Sequence, residues 1–336
     1  MDLDVFIERH RASWQRLDQL LQRSGRRLTG PEADELIELY QRVTTHLSTV
    51  RSQMPDVATV ERLSALVARA RAVVTGTHTP AWRVFTRFFT HRFPAAVYLG
   101  RRWWVTAGVV FYLLTGLMAA WIAGNPDVQA TIAAPDELRE MTRAGGGYEA
   151  YYSSDPAGSF AAKVWTNNAW VAAACLLLGV LFALPPIYLL FTNALNLAVG
   201  VGLMFGAGRG DVFLGLLAPH GLLELTAVFV AAGIGMRLGW QVIDPGPRTR
   251  AAALAAEGRS VVAVALGLVV VLLVSGVLEG FVTPSGWPTW ARVGIGVAAE
   301  VLFLLYVFVV GRRAARQGET GDVAASERDD VVPVSV

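Results

Sequence analysis

From residue 103 to 310 the chain carries long uncharged apolar runs separated by short polar breaks, whereas residues 1 to 102 interleave leucines with arginines and glutamates. Several of the runs reach the roughly 20 apolar residues that a hydrocarbon core of about 30 Å asks of a helix. The pattern therefore predicts spans near 103–124, 168–190, 192–208, 219–243, 260–279 and 291–310, the third being short. Upstream, Leu17, Leu20 and Leu21 share one side of a helix, and Leu36, Leu39, Val43, Leu47 and Val50 follow helical spacing in a second. "TGPE", Thr29 to Glu32, suits a capping box in which Thr29 accepts a backbone bond and Glu32 reaches back. Pro55 is expected to end that helix, and Leu63, Leu66, Val67, Ala70 and Val73 form the stripe of a third.

These periods predict an all-α polytopic membrane protein with about six transmembrane helices, preceded by a helical region over 1–80 and an interfacial amphipathic segment over 81–102. In that segment aromatic residues alternate with arginines. Trp82, Phe85, Phe88, Phe89 and Phe93 can lie in the headgroup boundary while Arg83, Arg87 and Arg92 face lipid phosphates, and Arg101, Arg102, Trp103 and Trp104 continue the membrane-surface set. Its place beside a span argues against nucleic acid as its partner and for the lipid bilayer. The loop from Asn125 to Thr166, with "RAGGGYEAYYSSDPAGS", suits an exposed and partly irregular surface, and the tail over 311–336 is expected to be disordered.

Composition refines this picture in three places. The totals, 29 basic against 27 acidic residues, conceal the contrast between the two halves. Arginines cluster before the first span, between the fourth and fifth (Arg248, Arg250, Arg259) and after the last (Arg312, Arg313, Arg316), which places both termini in the cytoplasm of a bacterial inner membrane. Cys175 is the sole cysteine, so an intramolecular disulfide is excluded. "MDLDVFIERHRASWQRL" lacks the basic-then-apolar pattern of a signal peptide, and the first span is expected to direct insertion.

Within the apolar runs a few polar residues stand out. In "LAPHGLLELTAVFV", His220 and Glu224 are four residues apart and project from one helical face, with Pro219 marking a helix start. An ionisable group left in lipid costs a few kcal/mol even on lenient insertion scales, roughly 2.5–3.5 for a charged residue at a helix centre, so both should face protein. They could hold a metal, relay protons or clamp helices together. As a metal site the pair is incomplete, because His10, His46, His78 and His91 fall on the cytoplasmic side and a third ligand would have to be an asparagine, aspartate or glutamate. The clamp is preferred, and no cofactor or resident metal is expected.

Asn167 and Asn168, opening the second span, are the expected partners in a buried polar cluster with His220 and Glu224. Asn193 and Asn196 at the start of the third span, Glu279 at the outer end of the fifth and Glu300 midway along the sixth form a secondary set. Arg237 is close enough to the interface to snorkel. Glycines at spacing four, such as Gly202 with Gly206 and Gly235 with Gly239, permit close helix contact, and "LPP" at Leu184–Pro186 implies a kink in the second span. "GRGD", Gly208 to Asp211, matches the pattern of intramembrane aspartyl proteases but lacks a second aspartate within a span; HExxH, Walker and GxSxG motifs do not occur. No enzymatic activity is therefore expected.

"TNNAWVAAACLLLGVLFALPPIYLLFTNALNLAVGVG" followed by "PHGLLELTAVFVAAGIGMRLGWQVIDPG" resembles the core of the stage II sporulation protein M family, with its Asn-Asn at a span start and its H-G-x-x-E-L signature. Phe6, Trp14, Leu36, Tyr40, Leu47 and Arg51 are similar to the N-terminal region of the longer branch, which is not specific to sporulation, while Ala194 stands where some relatives have glycine. The resemblance implies an integral membrane scaffold or assembly subunit of the cell envelope, working with other envelope proteins or further copies of itself. A channel or transporter subunit using the polar cluster as a pathway is the alternative.

Overall fold

The computed structural model describes residues 3–23, 28–53, 56–74, 81–150 and 157–322, with backbone alone at 81 and 157–164. Among these residues the chain is helical throughout and divides into two compact units, Met1–Val84 and Phe85–Val336. The first contains α1 (Leu3–Arg23), α2 (Gly30–Gln53) and α3 (Val57–Val74), whose leucine stripes meet in a core of their own around Trp14, Leu17, Leu20, Val43, Val50, Leu63 and Ala70. Arg16 forms a forked pair with Glu35 across α1 and α2, and Arg69 pairs with Asp18 across α3 and α1. The start of α2 is capped by Glu32, which accepts from the Thr29 backbone N–H at 2.9 Å; the Thr29 hydroxyl also donates to Glu32 instead of accepting from the backbone. The expected helix end at Pro55 lies outside the described residues.

The core of this unit also holds an imidazole. Trp14 donates its indole N–H to His46 Nδ1 at 3.1 Å, and the His10 ring lies 3.9 Å from that of His46. Burial, then the neighbouring His10 and Arg42, pushes the His46 pKa down from 6.5 to about 4.

Helix α4 (Ala81–Arg87) runs across the boundary at Val84, and the second unit continues with α5 (Phe93–Leu99), α6 (Arg101–Gly124), α7 (Pro126–Ile132), α8 (Pro135–Thr142), α9 (Gly147–Ala150), α10 (Ala157–Leu178), α11 (Leu184–Gly206), α12 (Gly210–Ile243), α13 (Arg250–Val277), α14 (Thr289–Leu305) and α15 (Arg312–Arg316). Turns of π-helix follow α4, α13 and α14 at Phe88–Arg92, Leu278–Val282 and Tyr306–Gly311. Five helical segments are long and apolar enough to cross a membrane: Arg101–Gly124, Leu184–Gly206, Gly210–Ile243, Arg250–Val282 and Thr289–Arg316. Helix α10, 22 residues long, packs beside them through Ala172, Cys175 and Leu176. Helix α12 is the hub, touching α6, α10, α11, α13 and α14, and contributes the densest run of core residues, from Ala227 to Ile234.

Several boundaries differ from the sequence expectation. Five of the six expected spans are span-capable helices; the expected second span, 168–190, is divided between α10, which ends at Leu178, and the start of α11, and the third is a full-length helix from Leu184. Pro185 and Pro186 occupy its first turn, where their missing N–H groups cost nothing, so "LPP" opens a helix instead of kinking one. Pro219, conversely, lies inside α12, which starts about two turns earlier. The chain reverses between α10 and α11 through Phe182 and Ala183, both left-handed at φ 56° and 64°.

The segment 81–102 is also more embedded than an interfacial helix. Phe93 and Val97 of α5 lie in the core, and Trp104 is buried with its indole donating to Val97 O at 3.0 Å. Trp82, Phe85 and Arg102 remain exposed, Trp103 stands beside Trp240, and Arg101 lies 4.2 Å over the Tyr98 ring. Arg83 faces Trp82 and Arg92 is half-buried. The loop 125–150 is built from three short helices and docks on the bundle: Arg209 donates to Thr142 O and pairs with Glu149, and Tyr148 meets Phe213 edge-on. In the tail, Glu319 pairs with Arg87 and Asp322 with Arg259, so residues 311–322 are seated by charge; 323–336 lie outside the described residues.

Close helix contact rests on glycine at the α10–α12 crossing. A Cβ added to Gly235 would stand 2.0 Å from Cys175 O, and one on Gly239 2.3 Å from Gly179 O. Gly235→Ala is therefore expected to destabilise the bundle by about 1–3 kcal/mol or more, read as a lowered unfolding midpoint in detergent, while Gly258→Ala, with nothing within 4 Å, stays near wild type. A second expectation concerns pH. Because the folded-state pKa of His46 lies below the unfolded 6.5, the unfolded chain binds the proton first. Stability of the first unit is thus full above about pH 6.5 and declines toward pH 4, measurable as lost hydrogen-exchange protection in α1 and α2 after correction for intrinsic rates.

Candidate functional site

The polar residues of the bundle gather where α10, α12 and the end of α13 meet. His220 and Glu224, one helical turn apart on α12, turn toward the same side. His220 Nδ1 lies 3.1 Å from Thr283 Oγ1, and its Nε2 lies 3.6 Å from Glu279 Oε1. The Ser275 hydroxyl donates to the His220 carbonyl oxygen at 3.1 Å. Asn168, from α10, donates its side-chain amide to Glu224. His220 and Glu279 are almost fully buried, and one ligand-type atom from each of His220, Glu224 and Glu279 falls within 4.8 Å of the others.

Local geometry explains why these side chains converge. Ser275, Glu279 and Thr283 follow one another at spacing four, which keeps them on one face as α13 passes into the π-helical turn Leu278–Val282. Glu279 consequently belongs to the centre and does not merely end its span. The expected pairing of Asn168 with Glu224 is present, whereas Asn167 is exposed, since adjacent helical residues point about 100° apart.

The secondary residues divide. Asn193 lies in the middle of α11 and donates to Leu189 O at 2.8 Å within its own helix, and Asn196 is exposed; neither caps a helix, because α11 begins at Leu184. Glu300 accepts from the Thr226 hydroxyl at 2.9 Å, joining α14 to α12 apart from the main centre. Arg237 does not snorkel: it pairs with buried Glu257 across α12 and α13 at 2.7 Å. Glu257, Ser275 and Thr283 were not singled out from sequence. The spacing-four row 275, 279, 283 is the signal that marks two of them, and Glu257 is marked by lying about as far beyond the α12–α13 turn as Arg237 lies before it.

Chemically, the centre offers one imidazole, two carboxylates, an amide and two hydroxyls on helices that lipid would otherwise surround. It defines a polytopic helical membrane protein with a cross-helix polar core. The chain belongs to the stage II sporulation protein M family, whose model matches residues 108–284 and so takes in Asn168, His220, Glu224, Ser275, Glu279 and Thr283. Residues 4–76, the three-helix unit, match a domain of unknown function, DUF8413. No curated protein and no solved structure matches the chain.

The amide of Asn168 and that of Asn167 provide a paired test. Asn168→Leu removes a cross-helix bond to a carboxylate and is expected to lower bundle stability by about 0.6–2 kcal/mol. Asn167→Leu, on the exposed side, should leave the unfolding midpoint in detergent unchanged; equal effects of the two would contradict this geometry.

Proposed function

We propose that this protein is an assembly or scaffold subunit of the cell envelope, without catalysis of its own, which presents a fixed membrane surface to other envelope proteins or to further copies of itself. The observation that carries the reading is that the polar centre joins three helical elements through its own side chains: Asn168 of α10 to Glu224 of α12, and His220 of α12 to Thr283 and Glu279 beyond α13. Bonds of this kind set helix register in a medium that offers no competing partner. The centre is then a clamp.

Residence in a bacterial inner membrane with both termini cytoplasmic is part of the same proposal. Arg259 at the start of α13 meets Asp322 of the tail, and Arg87 before α6 meets Glu319, so three arginine-rich segments gather at one end of the bundle, as the positive-inside rule asks of a cytoplasmic face. The partners proposed are the lipid bilayer, through Trp82, Phe85 and the arginines around them, and other membrane proteins.

The clamp is tested at Glu224. Glu224→Gln keeps an acceptor for Asn168 and should preserve assembly, judged by co-purification of envelope proteins after crosslinking; Glu224→Leu should lose about 1–2 kcal/mol of helix association and disrupt it. Equal loss of function in both variants with assembly intact would overturn the clamp. A channel or transporter subunit is the second reading, favoured by Glu279 Oε2 and Glu300 Oε2, which are buried and lack hydrogen-bond partners among the described residues. Solute flux through proteoliposomes holding the purified protein alone would decide for it.

A further inference from the structure

The distance between His220 Nε2 and Glu279 Oε1, 3.6 Å, is too long for a hydrogen bond, although both groups are shut away from solvent. His220 Nδ1 lies 3.1 Å from Thr283 Oγ1, and that hydroxyl also lies 3.4 Å from Leu278 O. The direction of the His220–Thr283 bond follows the imidazole tautomer, and with Nδ1 protonated Nε2 faces the carboxylate as a donor atom for a metal. The second oxygen of Glu279 is buried without a hydrogen-bond partner among the described residues. Glu224 brings another carboxylate, with one ligand atom from each of the three residues within 4.8 Å of the others.

An imidazole gathered with two buried carboxylates is an arrangement that a cation resolves. In a tetrahedral site with bonds of about 2.0–2.1 Å, neighbouring ligand atoms are about 3.3 Å apart. The observed His220–Glu279 separation of 3.6 Å needs a contraction of a few tenths of an ångström, and the pairs with Glu224, within 4.8 Å, need up to about 1.5 Å from side-chain rotation. Charge also balances, because a divalent ion neutralises the two carboxylates and one neutral nitrogen completes the set, so the complex carries no net charge into the bundle. One nitrogen and two carboxylates suit a first-row transition ion, whereas magnesium demands six near-octahedral oxygens and keeps its waters.

We propose that His220, Glu224 and Glu279 bind a divalent transition-metal ion of the zinc class, leaving one coordination position for a further donor. Thr283 holds the imidazole and Asn168 holds Glu224 as outer partners, the kind of support that metal-bound histidines and carboxylates receive. Glu279 reaches the site from a π-helical turn, a local irregularity often found where a helix aims a functional side chain. The proposal rests on the reading of this centre as a clamp, to which it adds a metal bond between α12 and the end of α13, and it has a separate readout.

The test uses the full chain without an affinity tag, purified in detergent, stripped with chelator and titrated with Zn2+ against a fluorescent competitor, with Mg2+ as control. Wild type should bind one Zn2+ that Glu279→Gln removes or weakens by more than the roughly 10- to 100-fold expected for loss of an outer partner, and Thr283→Val should weaken it within that range. The adjacent His10 and His46 contribute a background that Glu279→Gln does not alter. Identical zinc binding by wild type and Glu279→Gln overturns the proposal, as does the absence of zinc binding in wild type. Should Glu279→Gln fail to fold, the zinc absorption edge of wild type decides alone: one imidazole with oxygen donors supports the site, and a histidine-only signature refutes it. Neither failure touches the comparison of Glu224→Gln with Glu224→Leu, which judges the clamp by assembly.

Discussion

Hydrocarbon offers no hydrogen bonds, and that constraint organises the membrane unit: a polar side chain placed within it is stabilised by a partner on its own helix or on a neighbouring one. Helix α12 bears most of this requirement. It meets α10 through Glu224 and Asn168, the end of α13 through His220, α14 through Thr226 and Glu300, and the start of α13 through Arg237 and Glu257. Four contacts at different depths along one central helix fix its rotation more firmly than apolar packing could, since lipid tails are as apolar as leucine.

The same helix is where the backbone comes closest to its neighbours. Gly235 and Gly239 lie against the carbonyls of Cys175 and Gly179, while Gly296 of α14 lies against those of Ala218 and Pro219. Small residues at these crossings let the helices approach until the polar side chains can touch. Packing and polarity are therefore coupled: the amide of Asn168 reaches Glu224 because the chain is held close to α12 by Gly235 at Cys175 and Gly239 at Gly179, about two and three turns beyond Asn168.

Much of this was legible from sequence, and the failures have physical reasons. The helical class, the three-helix region before the bundle, and the pairing of Asn168 with Glu224 follow from period and from the cost of polarity in lipid. The boundaries of α10 and α11 were misplaced because hydropathy is continuous across Leu176–Leu190, and proline reads equally as a kink or as a helix start. Glu279 was read as a terminus because charge at the end of an apolar run is ordinary; only its spacing from Ser275 and Thr283 shows which face it shares. The α5 segment looked interfacial because aromatics and arginines alternate there, yet Gly267 leaves room on α13 for the ring of Phe93, a complementarity that periodicity cannot display.

The seated tail alters how the basic end of the molecule meets its surroundings. Arg87, Arg237 and Arg259 each have a carboxylate of this chain beside them, in Glu319, Glu257 and Asp322. A tally of arginines thus overstates the electrostatic pull on anionic phospholipid, because internal counter-ions screen part of it before any headgroup arrives. On the proposed placement of this end at the cytoplasmic face, the charge left for headgroups is that of exposed positions such as Arg102, Arg312 and Arg313, a narrower footprint than composition suggests.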